Sequence, residues 1–250
     1  MDKWFFVRYT DPGHHLRLRF HGDPYRLCSE VLPQLQRLLK PHLASGLVSK
    51  VEINTYKREV ERYGSDSGLP LCENIFCADS KWVLAILQRF QGDAFSDQRW
   101  RLAILGCDRL LQDFEYSIEQ RLQIFDSIRE NFREEFAFKG EAAHALGKRF
   151  RQERKDLEAI LWGTESSSLN AALPLLDERS RDITDSVSCL RALGAVSGGL
   201  DLDRLLYSLL HMTCNRILRS AQRPQELVIA DFMVRLYKSK LAKRNATTQD

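Results

Sequence analysis

The sequence predicts an α+β domain, with strands gathered near the N-terminus and helices filling most of the remainder. Three observations carry this. Residues alternate strictly in the first hairpin-like stretch, helical periodicity dominates beyond about residue 80, and turn-forming residues separate the periodic segments.

Trp4-Phe5-Phe6-Val7-Arg8-Tyr9 is aromatic and β-branched, and Asp11-Pro12-Gly13 follows as turn chemistry. His15-Leu16-Arg17-Leu18-Arg19-Phe20 then alternates, so the two stretches predict a β-hairpin. Asp23 followed by Pro24 is a helix N-cap and first-turn signal, with Val31, Leu35, Leu38 and Leu39 at helical spacing behind it. Pro33 kinks this helix or marks a late start, and Gly46 closes the region. Val48 to Tyr56 reads as a further strand. Ser80 is placed to cap a helix through Val83, Leu84, Leu87 and Phe90, and Asp97 to cap one through Trp100, Ile104, Leu105 and Leu111. Amphipathic stretches follow over 117–137, 141–162, 177–195, 201–219 and 224–242. Gly140, the segment 163–168, Gly198-Gly199 and Arg223-Pro224 mark the loops between them. No internal repeat is visible. Residues 1–243 read as a single domain and 244–250 as a polar, frayed tail.

Lys plus Arg number 37 against 34 Asp plus Glu, a net charge of +3. That balance is too mild to argue for a nucleic-acid or anionic-membrane partner, so any cationic site must be local. The N-terminus lacks the pattern of a secretory signal, and no apolar run approaches the ~18 residues of a membrane span. The six cysteines are scattered, most of them among apolar neighbours, which predicts reduced, buried thiols and a cytoplasmic protein. Neither Cys72 with Cys77 nor His211 with Cys214 has the second half of a zinc signature. Phosphate-cradling glycine loops and the G-x-S-x-G elbow are also missing.

Three clusters carry chemistry. In the alternating strand, Leu16, Leu18 and Phe20 fall on one face and His15, Arg17 and Arg19 on the other. Two guanidinium groups about 7 Å apart along a strand make a receptor for carboxylate or phosphate, although a merely wet polar face would read the same way. In the segment Tyr56 to Gly64, seven of nine residues carry charge or hydrogen-bonding groups, which fits a polar pocket or a plain surface loop. On the helix over 201–219, Tyr207, His211 and Asn215 form a polar column at i, i+4 and i+8. His211 is a candidate general acid or base there; the bland alternative is a hydrogen-bonded core histidine. Read from the residues alone, the chain holds a carboxylate-binding pocket with a candidate histidine base.

Taken in order, these clusters and the segment Glu73 to Ser80 resemble the C-terminal domain of lantibiotic dehydratases, a group that includes thiopeptide-type bacteriocin biosynthesis proteins. The resemblance spans nearly the whole chain; its most specific part is Glu59-Val60-Glu61-Arg62-Tyr63-Gly64 preceded by Tyr56, and it includes His211 through Arg216. It implies an enzyme that eliminates glutamate from O-glutamyl Ser or Thr of a precursor peptide, leaving dehydroalanine or dehydrobutyrine. It also implies a separate tRNA-dependent glutamylation protein as partner, with no direct nucleic-acid contact by this chain. The catalytic residues carried over are Arg17, Arg19, Glu59, Arg62 and His211, with Tyr56, Arg58, Tyr207 and Asn215 as substrate contacts and Arg58 as the alternative to Arg62. No metal or organic cofactor is implied, because an ester leaving group is already activated. Two other readings remain: a pyridine-forming [4+2] cycloaddition on the same fold, and a non-catalytic scaffold that binds precursor peptide. The oligomeric state is open.

Overall fold

The computed structural model describes residues 1–90, 98–163, 169–196 and 198–247. Strand β1 (Lys3–Tyr9) pairs antiparallel with β2 (His15–His21), with Phe5 opposite Arg19, Val7 opposite Arg17 and Arg8 opposite Leu16. Asp23 caps the helical turn Pro24–Arg26 by accepting from Arg26 N. A π-helical stretch, Leu27–Val31, leads into α1 (Leu32–Ala44). Pro33 lies inside an unbroken helical run from Pro24 to Ala44, directly after the π-helical stretch, so it marks no late start: the local irregularity accommodates a proline within the helix.

The later helices among the described residues are α2 (Ser65–Arg89), α3 (Arg99–Asp113), α4 (Ile118–Glu135), α5 (Glu141–Trp162), α6 (Leu173–Ala195), α7 (Leu202–Ile217) and α8 (Gln222–Thr247). The architecture is α+β, as the sequence predicts. A capping box of Ser117 and Gln120 opens α4, and Asp201 caps α7 through Arg204 N. Helix α2 packs on α6, α3 on α7, and α4 on α8, while β1 lies against α2 and α7. The core between them is aromatic and aliphatic, with Trp82, Ile104, Leu111, Phe114, Phe132, Leu206 and Phe232 fully buried or nearly so. Gly106 on α3 lets α2 close in, since a Cβ there would stand 2.6 Å from the Trp82 ring.

Several sequence expectations are corrected. Val48 to Tyr56 is not a strand: among the described residues the sheet has two strands, and neither pairs with this segment. Its apolar residues find no layer to enter, leaving Val51 50% and Ile53 74% exposed. Ser80 does not begin a helix, because α2 has already run from Ser65; Gly68 and Pro70 in its early turns disguise that start. Ser80 is buried instead, and its Oγ accepts from Phe6 N at 3.2 Å. The true entry is Gly64, whose φ of +83° suits glycine and whose Cβ would crowd Leu200 at 3.0 Å. Helix α6 begins earlier than residue 177, and α8 runs past residue 242 to Thr247. Asp97 and most of the 163–168 loop lie outside the described residues. Of the cysteines, four are buried, while Cys28 and Cys189 are exposed.

Candidate active site

The outer edge of β1 is closed by side chains from the helices. Arg216 Nε donates to Phe6 O at 3.0 Å. Asn215 Oδ1 accepts from Arg8 N and its Nδ2 donates to Arg8 O, both at 2.8 Å, imitating the missing neighbouring strand. Helix α7 thereby grips the hairpin. Replacing Asn215 with leucine strands both backbone groups and is expected to cost about 1–3 kcal/mol, read as a lower denaturation midpoint with faster hydrogen exchange at the Arg8 amide.

This grip fixes which way the hairpin faces. Antiparallel partners share a face, so Arg19, Arg17 and His15 stand with Phe5, Val7 and Tyr9, while Leu16 and Leu18 turn outward, 56% and 47% exposed. The arginine face looks into the protein and the leucine face looks out. A cleft of about 920 Å³ opens there, lined among others by Arg19, Tyr56, Glu59, Arg62, His211 and Asn215. The three sequence clusters therefore meet on one cleft.

Within it, Arg19 lies over the Tyr56 ring, 4.5 Å from its centroid. Burial, then Glu73, pushes the Tyr56 phenol above its ordinary value, so it stays a hydrogen-bond donor near neutrality. Arg62 Nη1 meets Glu59 Oε2 at 3.1 Å, and Arg62 Nε donates to Ser208 Oγ at 3.3 Å, tying this guanidinium to the histidine helix. The other expected residues lie elsewhere. Arg58 turns away to Glu73 at 3.3 Å, Arg17 stacks on Tyr9 at 3.7 Å, and Tyr207 lines a separate pocket of about 290 Å³. Only part of the i, i+4, i+8 column faces the cleft, because that spacing drifts around the helix by ~40° per step.

His211 itself is held by residues that sequence reasoning missed. Its Nδ1 lies 3.0 Å from Oε2 of Glu226, a buried carboxylate on α8. Gln222 Nε2 donates to the other oxygen of Glu226 at 2.6 Å, and Gln222 Oε1 accepts from Asn215 at 2.8 Å. A carboxylate only accepts hydrogen bonds, so in the neutral ring the proton lies on Nδ1 and the lone pair on Nε2. The signal was present as Gln222 and Glu226 at i, i+4 beside Pro224. Only the sharp turn after Leu218, with Ala221 at φ +47°, folds that face onto α7.

Below the cleft, Asp79 of α2 binds two arginines, Arg216 at 3.0 Å and Arg179 at 3.1 Å, and accepts from Thr213 at 3.3 Å. All four side chains are buried. Burial, offset by Asp79, pulls the Arg216 guanidinium below its ordinary value. This network sets the position of α7, and with it the height of His211 in the cleft.

The family profile described as Lantibiotic biosynthesis dehydratase C-term matches residues 1–237. The chain belongs to this family. Subtilin biosynthesis protein SpaB of Bacillus subtilis is 36% identical over 134 residues, covering 53% of this chain and 13% of SpaB. Nisin biosynthesis protein NisB of Lactococcus lactis subsp. lactis is 43% identical over 84 residues, covering 33% of this chain and 8% of NisB. The chain thus spans a small part of these curated relatives. The crystal structure of the tRNA dependent lantibiotic dehydratase MibB from Microbispora sp. 107891 shares the fold, with a TM-score of 0.71 and 23% identity over 97% of this chain and 25% of MibB. TsrL does so with a TM-score of 0.60 and 15% identity, over 95% of this chain and 85% of TsrL. Among the described residues, no helix of this lantibiotic-dehydratase domain is long and apolar enough to cross a membrane.

Proposed function

We propose that this domain eliminates glutamate from O-glutamyl Ser and Thr residues of a precursor peptide in lantibiotic or thiopeptide biosynthesis. The observation that carries this reading is His211, fixed by buried Glu226 at 3.0 Å, on the same cleft as Arg19 and Arg62. Elimination needs a positioned base and a cationic wall, roles that His211 and the two arginines would fill.

His211 Nε2 takes the α-proton of the modified residue, and the released electron pair moves onto the neighbouring carbonyl oxygen as an enolate. Arginine stabilises that oxygen; the candidates are Arg19 and Arg62, with Tyr56 O–H as a further donor. The pair then returns to form the Cα–Cβ double bond while the Cβ–O bond breaks, and glutamate departs as a carboxylate. Glu226 steadies the imidazolium formed in the first step, as the carboxylate does in a serine-protease triad. The chemistry calls for a glutamylated precursor peptide as substrate and for a glutamylation activity to supply it.

Arg19→Ala and Arg62→Ala are expected to slow elimination by roughly 10²–10³ each, since each removes a donor from a developing anion. Synthetic glutamylated peptide followed by mass spectrometry reads this directly. Full dehydration at the wild-type rate by both variants would remove the arginines from the mechanism. Glu226→Gln is expected to lower the rate by up to about 10⁴, because an amide no longer stabilises the imidazolium. Wild-type protein that leaves glutamylated peptide intact yet converts a bis-dehydroalanine peptide to a pyridine would replace elimination with cycloaddition.

A further inference from the structure

Tyr207 stands outside the cleft, yet it forms one wall of a groove of about 290 Å³ between α4 and α7. The two depressions adjoin. Tyr207 precedes His211 by about one helical turn, roughly 6 Å along α7, and Arg204, on the same wall, precedes it by roughly 10 Å. Arg223, in the wall of the cleft, interacts with Tyr207 across the junction.

The α4 side of the groove is built in two rows. Ile124 and Ile128 form a buried apolar floor, and Gln123, Ser127 and Asn131 stand beside it at i, i+4 and i+8. Eight of the 18 residues of α4 carry charge, but none of these five does. A face kept only for solubility would carry its share of that charge. The three polar side chains are exposed, and none bonds to another described residue. Asp203, on the opposite wall, is already held by Tyr116 Oη at 2.6 Å.

The spacing of the polar column suits an extended peptide. Residues four apart on a helix rise by about 6 Å, and residues two apart in an extended chain by about 6.7 Å. Successive members of the column therefore meet successive peptide groups on one edge of a strand-like segment. Amide and hydroxyl side chains donate and accept, as the N–H and C=O of a main chain require.

Resting on the elimination reading, we propose that the groove between α4 and α7 is a main-chain subsite for the precursor peptide. Gln123, Ser127 and Asn131 bond to the backbone of an extended segment, and Ile124 with Ile128 receives one of its apolar side chains. The offset of roughly 6–10 Å from His211 places that segment two to three residues from the Ser or Thr being modified. Bonds to the main chain leave the identity of the flanking residues largely free.

The test uses the full chain and two labelled peptides, each with one serine. A capped tripeptide reaches one residue to either side of the serine, and a nonapeptide carries four alanines on each flank. Both are used unmodified for fluorescence anisotropy and O-glutamylated for turnover. Wild-type protein should bind the nonapeptide at least about tenfold more tightly than the tripeptide, since each hydrogen bond is worth roughly threefold to tenfold. That advantage should fall about tenfold in Gln123→Ala/Asn131→Ala and vanish in Ser127→Trp, which fills the groove from an exposed position. Methylating single peptide nitrogens of the nonapeptide should weaken wild-type binding most at two to three residues from the serine. The same methylation should cost the double variant nothing further. Equal affinity of the wild type for both peptides, or a nonapeptide advantage that both variants retain, overturns the subsite. A methylation penalty of full size in the double variant does the same. Glutamate release from both peptides, with a nonapeptide advantage untouched by the variants, rejects the subsite and keeps the elimination. A binding advantage lost in the variants, in a protein that releases glutamate from neither peptide, supports the subsite and rejects the elimination.

Discussion

Replacing His211 with asparagine is expected to slow glutamate release by about 10²–10⁴ while leaving the fold and peptide binding in place. Asparagine matches much of the shape of the imidazole and keeps a donor toward Glu226, but it neither takes up nor gives back a proton near neutral pH. The side chain is 24% exposed, so the substitution opens no large cavity in the core. Glutamylated peptide should therefore accumulate, by mass, in a coupled reaction that otherwise ends in dehydroalanine. Circular dichroism and peptide anisotropy check that the protein is folded and still binds. An active His211→Asn variant would reduce the histidine, with its Glu226 contact, to packing and hydrogen bonding at a helix junction.

The second large effect concerns stability. Asp79→Ala leaves Arg216 buried without its carboxylate and Arg179 with Asp113 alone, at 3.9 Å, and breaking a buried ion pair from one side costs about 3–5 kcal/mol. For a domain of this size the melting temperature should fall by roughly 6–20 °C. Glu135→Ala breaks the exposed pair with Arg223 and should cost less than about 1 kcal/mol, so the two variants separate burial from charge. Arg216 also holds Phe6 O, so Asp79→Ala should loosen the hairpin before the rest of the core unfolds. Hydrogen exchange along β1 would report this. A melting temperature within a few degrees of the wild type would mean that the cluster does not depend on the aspartate charge.

Much of the fold was legible because periodicity and turn chemistry are local. The hairpin and the helices within 117–137, 141–162 and 201–219 follow from neighbours in sequence. The misreadings at Val48–Tyr56 and Ser80 share a cause. Alternation announces a strand only when a partner edge and an apolar layer exist to receive it, and a polar residue announces a cap only when the helix has not already begun. Both conditions are tertiary.

For the site, the sequence by itself determined which residue types were available: two arginines on one face of β2, the polar segment from Tyr56, and His211 on an apolar helix. The tertiary structure alone decided which of them meet. Asn215 and Arg216 dock β1 edge-on against α7, and this turns the arginine face inward, selecting Arg19 over Arg17 for the cleft. The path of the chain into Gly64 brings Arg62 onto Ser208 and sends Arg58 to Glu73. The fold-back after Leu218 delivers Glu226, 15 residues from His211 in sequence, to within 3.0 Å of the imidazole. Helical or strand spacing fixes the direction of a side chain relative to its own element. The partner it reaches depends on the placement of the next element, which is set by the buried contacts of the whole domain.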